Sequence, residues 1–156
     1  MKSTLIGLAW LVSLWMGSCA AAGPPPPAEL DTRNEHCRFC RMVVSDPRRA
    51  SQIVAPSEEP LFFDDIGCLQ AYLEGDPSLP AGATAYVADH RTREWILAGH
   101  ALYTRNPSVE TPMGSGLLAY ADAASREGDP EAVDGTPLSP ADVFGPSGAP
   151  DGSPER

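Results

Sequence analysis

The chain has 156 residues, enough for one modest domain, and a formal net charge of −10 with Lys2 as its only lysine. Phosphate binding needs clustered Lys and Arg, so an acidic chain of this kind weighs against nucleic acid as a partner. It also weighs against electrostatic docking on anionic lipid, and any membrane association needs another source.

The start of the chain offers one. Lys2 precedes the apolar run LIGLAWLVSLWM and the small-residue stretch GSCAAAG. A positive start, a short apolar region and small residues at a cut site describe an export signal. The run is short for a bilayer span. The cysteine that follows Met-Gly-Ser looks like the lipobox of bacterial lipoproteins. That resemblance implies a signal peptide over 1–18, a diacyl lipid on Cys19 and a mature chain outside the cytoplasm. Ala20 after the cysteine, in place of Asp, implies the outer rather than the inner membrane of a Gram-negative host. An ordinary leader cut after Ala20 or Ala22 is the plainer alternative.

Residues 19–36 read as a Pro-rich tether, with prolines that favour extended polyproline II at roughly 3.1 Å per residue. The folded domain is expected over 37–127. Within it RMVVS and SQIVA are short β-rich runs split by a turn on Asp46-Pro47. PLFFDD is a third run. Asp64 or Asp65 caps a helix whose apolar stripe is Ile66, Leu69, Tyr72 and Leu73. Gly75 and Pro77 stop it. TAYVADH is a strand, EWILAG and HALYTR read as a hairpin around Ala98-Gly99, and SGLLAYADAASRE as a strand passing into a short helix. Residues 128–156 are acidic and rich in Pro and Gly. They are expected to be disordered, with at most Val143 and Phe144 touching the domain. The fold class expected is α+β: two small ββαβ-like units in one compact domain, with disordered termini.

The chemistry concentrates in EHCRFCRM, residues 35–42. Apart from Cys19 the cysteines are Cys37, Cys40 and Cys68, an odd number that cannot all pair within one chain. A free thiol in an oxidising compartment is unusual unless buried or ligating. A thioredoxin-like redox pair needs its first cysteine at a helix start, whereas RMVV reads as a strand. A structural zinc clip needs four ligands, which His36 and Cys68 could complete as a Cys₃His set. A plain Cys37–Cys40 disulfide with Cys68 buried is a third reading. The fourth uses Met42. Copper(I) prefers thiolate and thioether sulfur, and Cys40 and Met42, two apart on a strand, face the same way. A second methionine, Met113 in ETPMGSG, sits in a Pro- and Gly-flanked loop where core packing explains it poorly. It could close a three-coordinate site with an open edge.

These segments, CRFCRM, LFFDDIGCLQAYL, TAYVADHRTREWILAGHALY and TPMGSGLLAY, together resemble the NosL family over about residues 37–121. The resemblance implies a lipid-anchored, periplasm-facing Cu(I) chaperone that helps load the copper-sulfide centre of nitrous-oxide reductase, on a pair of small ββαβ units. It places Cu(I) on Cys40, Met42 and Met113, with Cys37 and His36 as possible additional ligands. Asp64 and Asp65 match its helix-start motif, read as capping and as support for the ligands. Cys68 reads as a small buried hydrophobe. The family commonly has Gly where this chain has Arg41. The partner implied is a copper-accepting protein, nitrous-oxide reductase or its maturation machinery. Trp95 reads as core, and His90 and His100 as surface. No Ser-His-Asp pattern, phosphate-cradling loop or paired acids suggest an enzyme. The rivals are a thiol-redox or structural lipoprotein and a copper buffer or sensor unrelated to nitrous oxide.

Overall fold

The structure is a computed structural model that describes residues 23–153; the leader and Cys19 lie outside the described residues. Among the described residues, two small antiparallel sheets and three short α-helices share one core. Strands β1 (Ser51–Val54), β2 (Leu61–Phe63), β3 (Thr84–Ala88) and β4 (Trp95–Leu97) form a sheet in the order β2-β1-β3-β4. Strands β5 (Leu102–Arg105), β6 (Leu117–Tyr120) and β7 (Thr136–Leu138) form a second, in the order β6-β5-β7. Helix α1 (Ile66–Glu74) follows β2, α2 (Ala123–Glu127) follows β6 and α3 (Pro140–Phe144) follows β7. The α+β class and the two ββαβ-like halves stand: β1-β2-α1-β3 with β4 added, then β5-β6-α2-β7 with α3 added.

β1 and β3 are buried along their whole length, since each has a strand on both sides. Two of the polar side chains on them find partners in the segment before β1. Gln52 is fully buried and exchanges hydrogen bonds with the backbone of Ala28, and Tyr86 Oη donates to Pro25 O. Residues 25–30 therefore lie on the first sheet and are not a free tether. Asp89, just after β3, joins the two halves by accepting from the Ala121 amide at 2.7 Å and the Ser125 hydroxyl at 3.0 Å. Burial alone would raise its pKa, but these donors, with the amides of Thr92 and Arg91, hold it below the ordinary carboxylate value.

Two expectations about the chain path need correction. EWILAG and HALYTR are not a hairpin: β4 and β5 belong to different sheets. Ala98 and Ala101 are buried, and their small side chains let the chain cross between the sheets, where Tyr103 Oη donates to Ala98 O. The acidic stretch after Gly128 is not a loose tail either. It supplies β7, which pairs with β5, and α3, closed by a capping box between Ser139 and Asp142. Beyond α3 the backbone returns to the start of β3, outside the stretch that pairs with β4, where Ala85 N donates to Pro150 O and Gly152 N to Ala83 O. Composition misleads here because Val143, Phe144 and Leu138 suffice to dock the segment on a core already built by the rest of the chain.

Val143 is 2 % exposed within that core. Val143→Ala removes two methyl groups and leaves a small cavity, and is expected to destabilise the fold by about 2 kcal/mol. The effect should read as a lower urea midpoint at unchanged slope. An unmoved midpoint would mean that α3 contributes nothing to the core.

Candidate metal site

The segment 36–43 folds back on itself instead of running as a strand. Only the isolated bridge His36–Val43 has β character, and Cys37 N donates to Met42 O at 2.7 Å across it. The turn between them is held by Arg41 N on Cys37 O (3.0 Å) and by Cys40 N on Cys37 Sγ (3.5 Å). Arg41 takes φ +70°, the left-handed region that favours glycine. The backbone thus adopts, with arginine, the conformation that a Cys-Gly-Met would take more cheaply. Cys40 and Met42 owe their placement to this turn, not to strand alternation.

The Asp64-Asp65 pair ahead of α1 is where the separated parts meet. Asp65 is the helix cap and accepts from Gly67 N at 2.7 Å. The same carboxylate accepts from Thr111 Oγ1 (2.6 Å), Met113 N (2.9 Å) and Ser115 Oγ (2.5 Å). It therefore pins the whole 111–115 loop to the start of the helix. Gly67 makes this approach possible, since a Cβ there would stand 2.7 Å from Ser115 Cβ. Asp64 does not cap. It is buried and accepts from Cys40 Sγ at 3.4 Å on both oxygens.

Cys37, Cys40, Asp64 and Cys68 bring one ligand atom each to within 4.8 Å of all the others. All three cysteines are free thiols; Cys37 and Cys68 are buried and Cys40 is half-buried. Met42 and Met113 lie outside this knot, 42 % and 47 % exposed. His36 is exposed and turns Nδ1 to Asn34 O, so it does not join the thiols. Cys68 read first as a buried hydrophobe, with a place in a Cys₃His set as its other reading. Its place in the first turn of α1, just after the Asp64-Asp65 pair, brings it next to Asp64. Thr111 and Ser115, which flank Met113 by two residues on each side, were also missed.

The thiols are not equivalent. The Cys68 thiol donates to Cys37, and this bond holds Cys37 down at about 6 against the opposing effect of burial. Burial pushes Cys40 up to about 11. Cys68, which donates to Cys37 and is itself buried, is shifted upward too. In metal-free protein one thiolate should therefore appear in the ultraviolet as pH rises through about 6. Its titration should move to higher pH in Cys68→Ala, where the donor is gone. A first thiolate that appears only near the ordinary thiol value in the parent would contradict the hydrogen bond.

A second group, His90, Asp129 and Glu131, joins the β3–β4 connection of the first half to the segment after α2 in the second. His90 is 3 % exposed, which corrects its reading as a surface residue, and its Nε2 bonds Glu131 at 2.6 Å. Glu131 also faces Arg49 at 4.0 Å and Asp129 accepts from Tyr120 Oη, so this group is already held by hydrogen bonds and an ion pair within the protein. His100 is exposed and Trp95 packs partly buried on the core.

Fold and site together define a small two-sheet α+β domain that holds a thiol-carboxylate cluster. The chain belongs to the NosL family, whose sequence profile matches residues 27–143. Among solved structures it is similar to the copper chaperone NosL from Shewanella denitrificans, with a TM-score of 0.60 at 20 % identity over 74 % of this chain and 94 % of that one. At that identity the likeness is one of fold. No curated protein sequence matches the chain.

Proposed function

We propose that the protein is a Cu(I) chaperone whose ion rests on Cys40, Met42 and Met113. One observation carries this reading: two methionines stand exposed on the two loops that Asp64 and Asp65 draw together, and the turn of Met42 also carries the one thiol among the described residues that is only half-buried. An exposed methionine gains little from packing, whereas a thioether is a soft ligand that needs no deprotonation and resists oxidation to a disulfide. Cys37, hydrogen-bonded to the Cys40 amide, stands behind as a further thiolate. Family membership and the fold likeness to a copper chaperone support the same assignment. The ion is cargo: three ligands leave one edge for the ligands of a receiving protein, which in this family reading is nitrous-oxide reductase or its maturation machinery.

The place of action is extracytoplasmic, on the periplasmic side of a bacterial membrane, with a lipid on Cys19 as the anchor. Anaerobic titration against a chromogenic Cu(I) chelator tests the central claim. One ion per chain, held against the chelator and released to an acceptor, is the expected result. A reduced protein that cannot compete with the chelator would refute it.

A further inference from the structure

We propose that the turn 36–43 is a docking surface for the protein that receives the ion, and that this partner presents carboxylates around an apolar centre. The inference rests on the copper reading for what the contact delivers, but the surface itself is defined without any metal.

The turn keeps its thiols in and its other side chains out. Cys37 is buried and Cys40 is half-buried against Asp64. Arg38, Phe39, Arg41, Met42 and Val43 are all exposed. Among the described residues five large apolar side chains stand exposed. Four of them, Phe39, Met42, Val43 and Met113, lie on the two loops of the proposed copper site, and the other is Val133. Single exposed apolar residues are ordinary, but three within five residues mark a surface that another molecule covers.

Charge says what covers it. The chain carries −10 overall, yet residues 36–43 hold two arginines and no acid. Arg33 pairs with Asp31, and Arg48 and Arg49 pair with Asp46. Neither Arg38 nor Arg41 has an ion pair or a side-chain hydrogen bond among the described residues. Arg41 moreover holds φ +70°, a conformation costly to any residue with a Cβ. An arginine kept at a strained position, with no partner inside the protein, has its use outside it. A second copy of the chain is a poor occupant, since a two-fold contact would set like charges against each other. Carboxylates on an acceptor take both guanidiniums by charge-assisted hydrogen bonds, and an apolar centre covers Phe39 and Val43. No electron moves in the transfer. Acceptor thiols lose protons as they bind Cu(I), and Cys40 regains one as it leaves.

Two dithiol peptides are the probes. They share a Cys-x-x-Cys core with leucines beside it, and one is flanked by glutamates, the other by lysines. From the Cu(I)-loaded protein, kept anaerobic, the glutamate peptide should receive the ion about tenfold faster at about 0.01 M salt. The difference should close near 1 M, where screening shortens the reach of charge to about 3 Å. Arg38→Ala combined with Arg41→Gly should remove most of the preference, and Phe39→Ala should slow both peptides about tenfold. None of these substitutions touches a copper ligand, so Cu(I) affinity against a chelator should not change. Equal rates for the two peptides at low salt, or rates indifferent to all three substitutions, would overturn the surface.

The metal-free protein separates this inference from the copper reading. The glutamate peptide, and not the lysine peptide, should shift the amide resonances of 38–43. Such shifts in a protein that holds no Cu(I) would leave the docking surface standing and sink the copper reading; Cu(I) firmly held with no shift would do the reverse. A dimer in sedimentation that Phe39→Ala dissociates would assign the turn to a second copy and overturn the acidic acceptor.

Discussion

Serine in place of Cys40 is expected to weaken Cu(I) binding by about a hundredfold or more, roughly 3 kcal/mol. The replacement is nearly isosteric, but it exchanges a soft thiolate for a hard hydroxyl that a monovalent copper ion binds poorly. Cys40 is the residue on which the proposed site depends most. It is the partly exposed thiol, its sulfur touches Asp64, and its turn carries Met42. Met113→Ala should cost less, about tenfold, because a thioether binds more weakly and a solvent or thiol ligand can fill in. Neither variant should unfold the protein, since Met113 is 47 % exposed and Cys40 half-buried. Competition against a Cu(I) chelator at fixed pH gives both numbers. Equal affinity in Cys40→Ser and the parent would end the assignment of this residue.

Asp65→Ala is expected to damage both stability and metal binding, and for a different reason. One carboxylate, 1 % exposed, accepts four hydrogen bonds, from Gly67 N, Thr111 Oγ1, Met113 N and Ser115 Oγ. Its removal uncaps α1, a loss of about 1 kcal/mol by itself. It also leaves buried donors without a partner, at about 1–3 kcal/mol each where water cannot reach them. A loss of about 3–5 kcal/mol of unfolding free energy follows, most of the stability of a marginal domain. The 111–115 loop then has nothing to hold it, so Cu(I) affinity should fall as in Met113→Ala even where the protein remains folded. Asp65→Asn keeps an acceptor for the cap and should lose less. Chemical denaturation combined with Cu(I) competition on the same samples separates the effects. Met113→Ala should change affinity alone, and Asp65→Ala should change both. Stability unchanged in Asp65→Ala would show that the loop and helix do not depend on this carboxylate.

How far the sequence could be read depended on whether the relevant physics was local. Helix α1 was legible from its cap, its apolar stripe and its Gly-Pro stop, all of which act within a few residues. The Met113 loop was legible because a methionine between Pro and Gly has no packing reason to be there. The crossing at Ala98–Ala101 was not, because a β-run followed by a short turn looks the same whether the next run returns to its own sheet or joins another. The docking of 136–144 was hidden by composition: the segment has few apolar residues, but they meet a surface prepared elsewhere in the chain. Cys68 gave the same difficulty. A cysteine on the buried side of a helix is ordinary until Cys37 and Asp64 are found facing it.

By itself, then, the amino-acid order determined which residue types were available: one methionine two residues after a close thiol pair, a second in a Pro- and Gly-flanked loop, a doublet of aspartates at a helix start, and the NosL likeness that links them. Those choices are made by side-chain chemistry and short-range backbone preference, which a linear string records. Only the folded chain decided which donors converge. Asp64 and Cys68 join the thiols while His36 does not, because ligand distances are set by how a turn, a helix start and a loop some 50 residues later pack together. Packing of that kind is a collective outcome of the core, and no local pattern in the string carries it.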